Sequence, residues 1–193
     1  MNDNPPTPKK KKAPRKERSA SLKFENDYFK AGYQHIAGMD EAGRGPWAGD
    51  VYAAVVALPL SRKNLTKMLK GVKDSKDMTA SQREESAEKI KEVALAWGIG
   101  NATPQEIAEY NLNVATRMAM RRALDDANTR FDFTPDCLFL DYMPFPELRQ
   151  MHVLSLVKGD KKSLSIAAAS VLAKTIRDAS MVALAEDCPD YGF

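Results

Sequence analysis

The first apolar segments of the chain form two short runs with a glycine-rich stretch between them. Residues 34–40 and 50–58 are rich in apolar and β-favouring residues over the length of a strand, which predicts two strands. The connection through Gly43-Arg44-Gly45-Pro46 is short. We therefore expect the two strands to pair antiparallel, in the manner of a hairpin.

Helical spacing dominates the middle of the chain. Ser81 and Glu84 have the spacing of a capping box, and apolar residues follow at i, i+3, i+4 and i+7: Ile90, Val93, Ala94 and Trp97. Thr103 followed by Pro104 is typical of a second helix start, and the apolar pattern after it continues to about residue 128. Residues 96–102 are predicted to form a third strand, and residues 61–70 a short helix.

Strands and helices alternate in the last third of the chain. Residues 137–141 and 151–157 are continuous apolar runs, the pattern of buried strands. Residues 163–186 form a helical pattern that is apolar over most of its circumference. The alternation predicts a parallel, helix-covered sheet here, and with the antiparallel pair before it the whole sheet should be mixed. The fold class is α/β.

Charge separates the first 23 residues from the rest. They carry eight Lys/Arg against Asp3 and Glu17, a net charge of +6 in a chain of +3, so the remainder is −3. Four prolines and few apolar residues predict a disordered basic tail at residues 1–23 and one folded domain at residues 24–193. The tail could contact phosphates or merely act as a solubilising extension, and the sequence favours neither.

Composition and cysteine number indicate the cellular compartment in which the protein is expected. With 44% hydrophobic residues, 28% charged residues and no run of about 20 apolar residues, the chain is typical of a globular protein without a membrane span. No signal-peptide pattern is visible. The two cysteines, Cys137 and Cys188, have no metal-ligand spacing and cannot form a disulfide framework. We expect reduced thiols and a cytoplasmic protein.

Two adjacent carboxylates, Asp40 and Glu41, end the first predicted strand just before the glycine turn. Carboxylates at a sheet edge suit a hard cation such as Mg²⁺, and bare glycine backbone allows another molecule to approach closely. A solvated acidic pair in a corner is the alternative. A dinucleotide loop through Gly43, Gly45 and Gly49 is disfavoured because a strand follows instead of a helix. An EF-hand Ca²⁺ loop lacks its ligand pattern.

Two further acids lie where they could join this pair. Asp141 ends another predicted strand, and it would lie beside Asp40 if the two strands are neighbours. Asp178 belongs to a polar stripe on the last helix, together with Ser163, Ser170, Lys174 and Arg177. Taken alone, Asp141 could be a turn residue, and Asp178 could simply pair with Lys174 four residues earlier.

A series of motifs in fixed order carries a family resemblance. From Asp40 onward they are Asp40-Glu41-x-Gly43-Arg44-Gly45, Asp74-Ser75-Lys76, Tyr110-Asn111, Asp141, Lys158-Gly159-Asp160, Ser165-Ile-Ala-Ala-Ala-Ser170-x-x-Ala-Lys174, Arg177-Asp178 and Tyr191-Gly-Phe193. From about residue 34 to residue 193, the chain closely resembles ribonuclease HII, the bacterial type 2 ribonuclease H. The resemblance implies a ribonuclease H-like fold, a central mixed five-stranded sheet flanked by helices. Because the chain stops at Phe193, we expect its C-terminal helical part to be shortened.

The resemblance also implies an activity. The family cuts the RNA strand of RNA–DNA hybrids and incises duplex DNA 5′ of embedded ribonucleotides, leaving 3′-hydroxyl and 5′-phosphate ends. Its four acidic catalytic positions match Asp40, Glu41, Asp141 and Asp178, which would hold two Mg²⁺ or Mn²⁺ ions. Asp40 would bridge the two ions, Glu41 and Asp141 would flank it, and Asp178 would bind the second ion or position water.

Other matched positions imply substrate contacts. Gly43, Arg44 and Gly45 correspond to the turn that senses the 2′-hydroxyl, and Tyr191 to a tyrosine that stacks on the neighbouring sugar. Three more positions resemble backbone contacts: Lys76, Asn111 and Ser170. The implied partner is an RNA–DNA hybrid or ribonucleotide-containing duplex, bound by a monomer. The alternatives are a catalytically impaired nucleic-acid binder that uses the basic tail, and a junction resolvase, which has no 2′-hydroxyl to sense.

Overall fold

The computed structural model describes residues 20–146, 148 and 151–191. Along the chain, the elements are the following: α1 (Lys23–Lys30), β1 (Ile36–Ala42), β2 (Val51–Ala57), α2 (Leu65–Met68), α3 (Ala80–Val93), β3 (Ala96–Ala102), α4 (Pro104–Tyr110), α5 (Leu112–Phe131), β4 (Cys137–Asp141), β5 (His152–Leu156) and α6 (Leu164–Asp187). Short 3₁₀ turns cover Ser75–Asp77, Gly159–Lys161 and Pro189–Tyr191. Among these helices, none is long and apolar enough to cross a membrane.

One five-stranded sheet has the order β3-β2-β1-β4-β5. The first three strands in chain order pair antiparallel, whereas β4 pairs parallel with both β1 and β5. The predicted mixed sheet is therefore confirmed. In the register of β1 and β4, Met39 lies opposite Leu140, so the following residues, Asp40 and Asp141, come side by side at the same sheet edge.

Helices cover both faces of the sheet. Helix α5 packs on one face, and α6 with α3 packs on the other. The close packing of α6 depends on Gly38 in β1, where an added Cβ would lie 2.3 Å from the backbone nitrogen of Ile166. Because β1 and α6 each carry predicted catalytic acids, this contact sets the distance between two parts of the site.

Four features of the helices differ from the prediction. The short helix expected at residues 61–70 covers only Leu65–Met68. The capping box of α3 is formed by Thr79 and Gln82, so the predicted box at Ser81 and Glu84 is wrong by two residues. Trp97 belongs to β3, because the helix ends at Val93. The single helix expected after Thr103 is two helices, broken at Asn111, which has φ 70° and caps α5 with its side chain. A short polar side chain tolerates such a backbone and satisfies the free N–H groups of α5.

The N-terminal boundary also differs. Ala20 is buried, and Ser21 forms a bridge with Ser163, so residues 20–23 belong to the folded domain and not to the predicted tail. Residues 1–19 lie outside the described residues. The aromatic side chains that follow pack on the sheet: the Tyr28 ring stands edge-on to Phe139 of β4, with centroids 5.1 Å apart.

Candidate active site

Three of the predicted acids lie at the carboxyl ends of two neighbouring strands: Asp40 and Glu41 on β1, and Asp141 at the end of β4. Asp40 is 7% exposed and accepts a 2.9 Å hydrogen bond from the backbone N–H of Glu41. The next carboxylate, Asp141, accepts a 2.8 Å hydrogen bond from the N–H of Gly159. The glycine of the Lys158-Gly159-Asp160 motif thus fixes one oxygen of Asp141 at the strand end.

Burial and mutual repulsion shape the electrostatics of this cluster. Burial raises the pKa of Asp40 well above its usual value, the negative charges of Glu41 and Asp141 raise it further, and the Ser170 hydroxyl opposes this shift by hydrogen bonding. Burial likewise raises the pKa of Glu41, while the guanidinium of Arg44 lowers it. Such crowded, desolvated carboxylates are costly to keep ionised without positive charge nearby.

The fourth acid, Asp178, is held by cations from two helices. Its oxygens accept hydrogen bonds from Arg83 of α3 at 2.9 Å and from Lys174 at 2.5 Å. In the described part of the chain, no three His, Cys, Asp or Glu side chains form a group that could hold a metal ion as they stand. The convergence of Asp178 with Asp40, Glu41 and Asp141 on one cation cluster therefore stays a prediction.

Arg83 is a residue of this region that the sequence interpretation missed. Its other guanidinium nitrogen donates to the carbonyls of Ser75 and Met78, at 3.2 and 2.7 Å. One side chain thereby ties Asp178 to the Asp74-Ser75-Lys76 segment. An arginine on a polar helix face gives no sequence signal that separates this role from ordinary solvent exposure.

The donor set fits a divalent cation. Glu41 Oε2 is buried and has no hydrogen-bond partner, beside a carboxylate whose charge is already disfavoured by burial. Hard cations such as Mg²⁺ and Mn²⁺ bind carboxylate oxygens of this kind, and their charge would offset the repulsion among the acids. Glu41 therefore offers a cation one unpartnered oxygen beside the raised-pKa carboxyl of Asp40, and closer approach of the acids is needed to complete a ligand set.

The turn that begins at Gly43 packs against Arg177 of α6. Gly43 has φ +108°, a conformation that favours glycine, and an added Cβ there would lie 3.0 Å from Nε of Arg177. Arg177 is buried and donates to the carbonyl of Ala48. Arg44 donates a 2.7 Å hydrogen bond to Asn113 at the start of α5 and lies 3.8 Å from Glu41. The turn is thus fixed relative to the acids.

Of the remaining predicted contacts, Ser170 is linked directly to the acids, through a hydrogen bond to Asp40. Ser170 is buried and shares a 3.0 Å hydrogen bond with Ser75, which precedes the exposed Lys76. The Asn111 side chain accepts from two backbone N–H groups at the start of α5. Tyr191 lies in the 3₁₀ turn after α6, and its side chain is largely exposed.

Comparison with known proteins identifies close relatives of the chain. A family model described as Ribonuclease HII matches residues 37–193. The chain is 45% identical over 185 residues to a ribonuclease HII of Halalkalibacterium halodurans, and the aligned region covers 95% of this chain and 66% of that protein. It is 48% identical over 157 residues to a ribonuclease HII of Neisseria meningitidis serogroup C, and the aligned region covers 81% of this chain and 76% of that protein. The chain thus spans just under two thirds of the first relative and about three quarters of the second.

The fold has solved counterparts as well. The crystal structure of ribonuclease H2 from Pyrococcus horikoshii OT3 matches with a TM-score of 0.68 at 26% identity, over 82% of this chain and 79% of that chain. The expected ribonuclease H-like fold is confirmed by this match together with the mixed five-stranded sheet.

Proposed function

Because this chain belongs to the ribonuclease HII family, we propose that it hydrolyses the RNA strand of RNA–DNA hybrids and incises duplex DNA 5′ of embedded ribonucleotides. The products are 3′-hydroxyl and 5′-phosphate ends. The observation that supports the proposal is that Asp40 and Asp141 lie at the ends of neighbouring parallel strands, with Glu41 next to Asp40, so that, besides burial, the negative charges of neighbouring acids raise the pKa of Asp40 and of Glu41.

In this proposal, four carboxylates would hold two Mg²⁺ or Mn²⁺ ions. Asp40, Glu41 and Asp141 would be ligands, with Asp40 common to both ions, and Asp178 would bind the second ion or position water. When bound, such ions activate water and stabilise the leaving 3′ oxygen. Ser170 and the Glu41 N–H hold Asp40 in place, and Gly159 holds Asp141. Lys174 and Arg83 orient Asp178 through its two oxygens.

Substrate recognition follows from the backbone around the acids. Main-chain groups of Gly43, Arg44 and Gly45 meet the 2′-hydroxyl, which distinguishes RNA from DNA. Tyr191 stacks on the neighbouring sugar. Lys76 and Asn111, which are exposed, and Ser170, which is buried, contact the backbone of the bound strand in this proposal.

The protein acts, in this proposal, as a monomer in the cytoplasm, with nucleic acid as its partner and no membrane association. The two cysteines are free thiols, consistent with a reducing compartment. Cys137 is buried, and burial raises its pKa to about 12, so it is not a reactive nucleophile.

A single assay tests the activity. The full chain is offered a DNA duplex with one embedded ribonucleotide, in Mg²⁺, in Mn²⁺ and in EDTA, with the all-DNA duplex as the matched control. We expect metal-dependent incision 5′ of the ribonucleotide and no cut in the control. Binding without incision would instead support a non-catalytic nucleic-acid binder, and cutting of branched all-DNA substrates would support a resolvase.

A further inference from the structure

Trp47 is the most exposed large apolar side chain in the described part of the chain, at 104% of the reference accessibility. Full exposure of an indole leaves its large apolar surface in water, which is unfavourable unless something covers it. The other tryptophan, Trp97, is partly buried, with the guanidinium of Arg130 3.7 Å from its ring centre. Of the two tryptophans, Trp47 is therefore the one whose ring is left fully in water.

The segment that carries Trp47 is held firmly at both ends. Arg177 packs under Gly43 and donates to the carbonyl of Ala48, the residue after Trp47. Gly49 packs against Met181 of α6, where an added Cβ would lie 2.5 Å from the sulfur. The exposed indole is therefore carried by a turn that α6 holds in place, directly after the Gly43-Arg44-Gly45 segment.

A groove lies beside this turn. It has a volume of about 320 Å³, and its walls are the turn from Gly43 to Trp47 on one side and residues of α4 and its C-terminal flank on the other, among them Pro104, Ile107 and Leu112. Arg44 also lines this groove and adds a positive charge to its largely apolar walls. Apolar walls with an arginine among them suit a polyanion that presents sugar and base surfaces.

We propose that Trp47 is a substrate-contact residue that packs into the minor groove of the duplex, against the sugar and base edge next to the recognised ribonucleotide. The inference rests on the proposed function, in which Gly43 to Gly45 meet a 2′-hydroxyl. That hydroxyl lies in the minor groove of an RNA-containing duplex, so the neighbouring indole faces the same groove. Apolar side chains that enter a minor groove grip the duplex by packing on or between base steps.

Intrinsic fluorescence tests the contact without catalysis. In the W97F variant, Trp47 is the sole tryptophan, and in the W47F variant, Trp97 is. Each is titrated in EDTA with the duplex that carries one ribonucleotide, and binding is followed independently by anisotropy of a labelled duplex. We expect emission to be strongly quenched in W97F and nearly unchanged in W47F. Binding that leaves the emission of W97F unchanged would overturn the proposal and would favour a protein partner for this surface.

Steady-state kinetics give a second readout. W47A should raise KM about tenfold with little change in kcat, because the indole contacts the duplex and not the acids, and W47F should restore most of the loss. A wild-type KM in W47A would overturn the proposal. If the wild type binds and quenches but never cuts, the contact stands and the proposed hydrolysis fails. If it neither binds nor cuts, both fail.

Discussion

At the scale of single residues, the site is defined by carboxylates placed where their charge is expensive. Asp40 is buried beside Glu41 and within electrostatic reach of Asp141, and its pKa is raised accordingly. Keeping these carboxylates buried lowers the stability of the folded chain, and the surrounding fold holds them in place. Buried acids with a raised pKa of this kind are typical of functional sites.

Replacement of Asp40 separates its effect on activity from its effect on stability. Asp40→Asn should lower incision of a ribonucleotide-containing duplex at least about a hundredfold, because the variant lacks one of the proposed metal ligands. The same variant should melt in EDTA at the wild-type temperature or higher, because a buried, repelled charge is removed. Asp27→Asn, which removes an exposed carboxylate from α1, is the matched control and should change neither quantity. Full activity in Asp40→Asn would contradict the assignment.

A second buried acid, Glu25, tests the electrostatics away from the site. Its Oε1 accepts hydrogen bonds from Ser163 and twice from Ser165, and burial raises its pKa despite them. A folded-state pKa above the unfolded value favours folding when the group is protonated. This contribution is full below the unfolded pKa and is lost as pH rises through the folded pKa.

Glu25→Gln keeps the accepting oxygen and removes the titration. The melting temperature of this variant minus that of the wild type should therefore increase as pH rises from about 4 to 7. Glu84→Gln on the exposed face of α3 serves as control. A difference that is constant or falls over this range would show that burial does not raise the pKa of Glu25.

At the scale of elements, the sequence predicts those helices and strands whose formation depends on residues within the same segment. A helix begins at Pro104 with Thr103 as its cap, and β4 and α6 form where their apolar patterns predict them. Capping and burial are properties of each segment, so its sequence is enough to predict it. The break at Asn111 was missed since the apolar spacing continues through it, and only its φ of 70° interrupts the helix.

The partners of Asp178 could not be derived from the sequence for a different reason. Lys174 is four residues away and was foreseen as a helical neighbour, whereas Arg83 lies 95 positions earlier and meets Asp178 only through tertiary packing of α3 on α6. The pairing of Asp40 with Asp141 was conditional on strand order, which local pattern does not determine. The structure supplies that order.

The contact of β1 with α6 can be tested directly. Gly38→Ala would place a Cβ 2.3 Å from backbone atoms of Ser165 and Ile166, so the helix must shift. We expect a loss of about 1–3 kcal/mol or more in the free energy of unfolding, measured with urea. Gly45→Ala is the matched control, because its Cβ would meet no atom within 4 Å. Equal stability of the two variants would contradict the packing described.

At the scale of the whole molecule, charge is divided between a basic N-terminal segment and a domain that is net negative. Residues 1–19 carry seven Lys/Arg against two acids. A net negative domain with an acidic site is a poor electrostatic match for a polyanion, so the basic segment is the obvious source of additional attraction.

Deletion of residues 1–19 tests that role, and it spares residues 20–23, which pack on the domain. We expect duplex affinity to depend less steeply on salt, with the log–log slope decreasing by about 0.9 for each lost phosphate contact. Replacement of the same residues by an uncharged segment of equal length is the control for chain length. An unchanged slope would mean that the segment does not contact the duplex.

The central claim is that Asp40, Glu41, Asp141 and Asp178 converge on one divalent-cation site. Fe²⁺ in place of Mg²⁺, with ascorbate and peroxide, generates hydroxyl radicals at such a site and cuts the nearby backbone. Mass spectrometry of the fragments should show cuts close to residues 40–41, 141 and 178, and excess Mg²⁺ should suppress all of them together. Cuts at only one of these three positions, or cuts that Mg²⁺ does not suppress, would contradict the account.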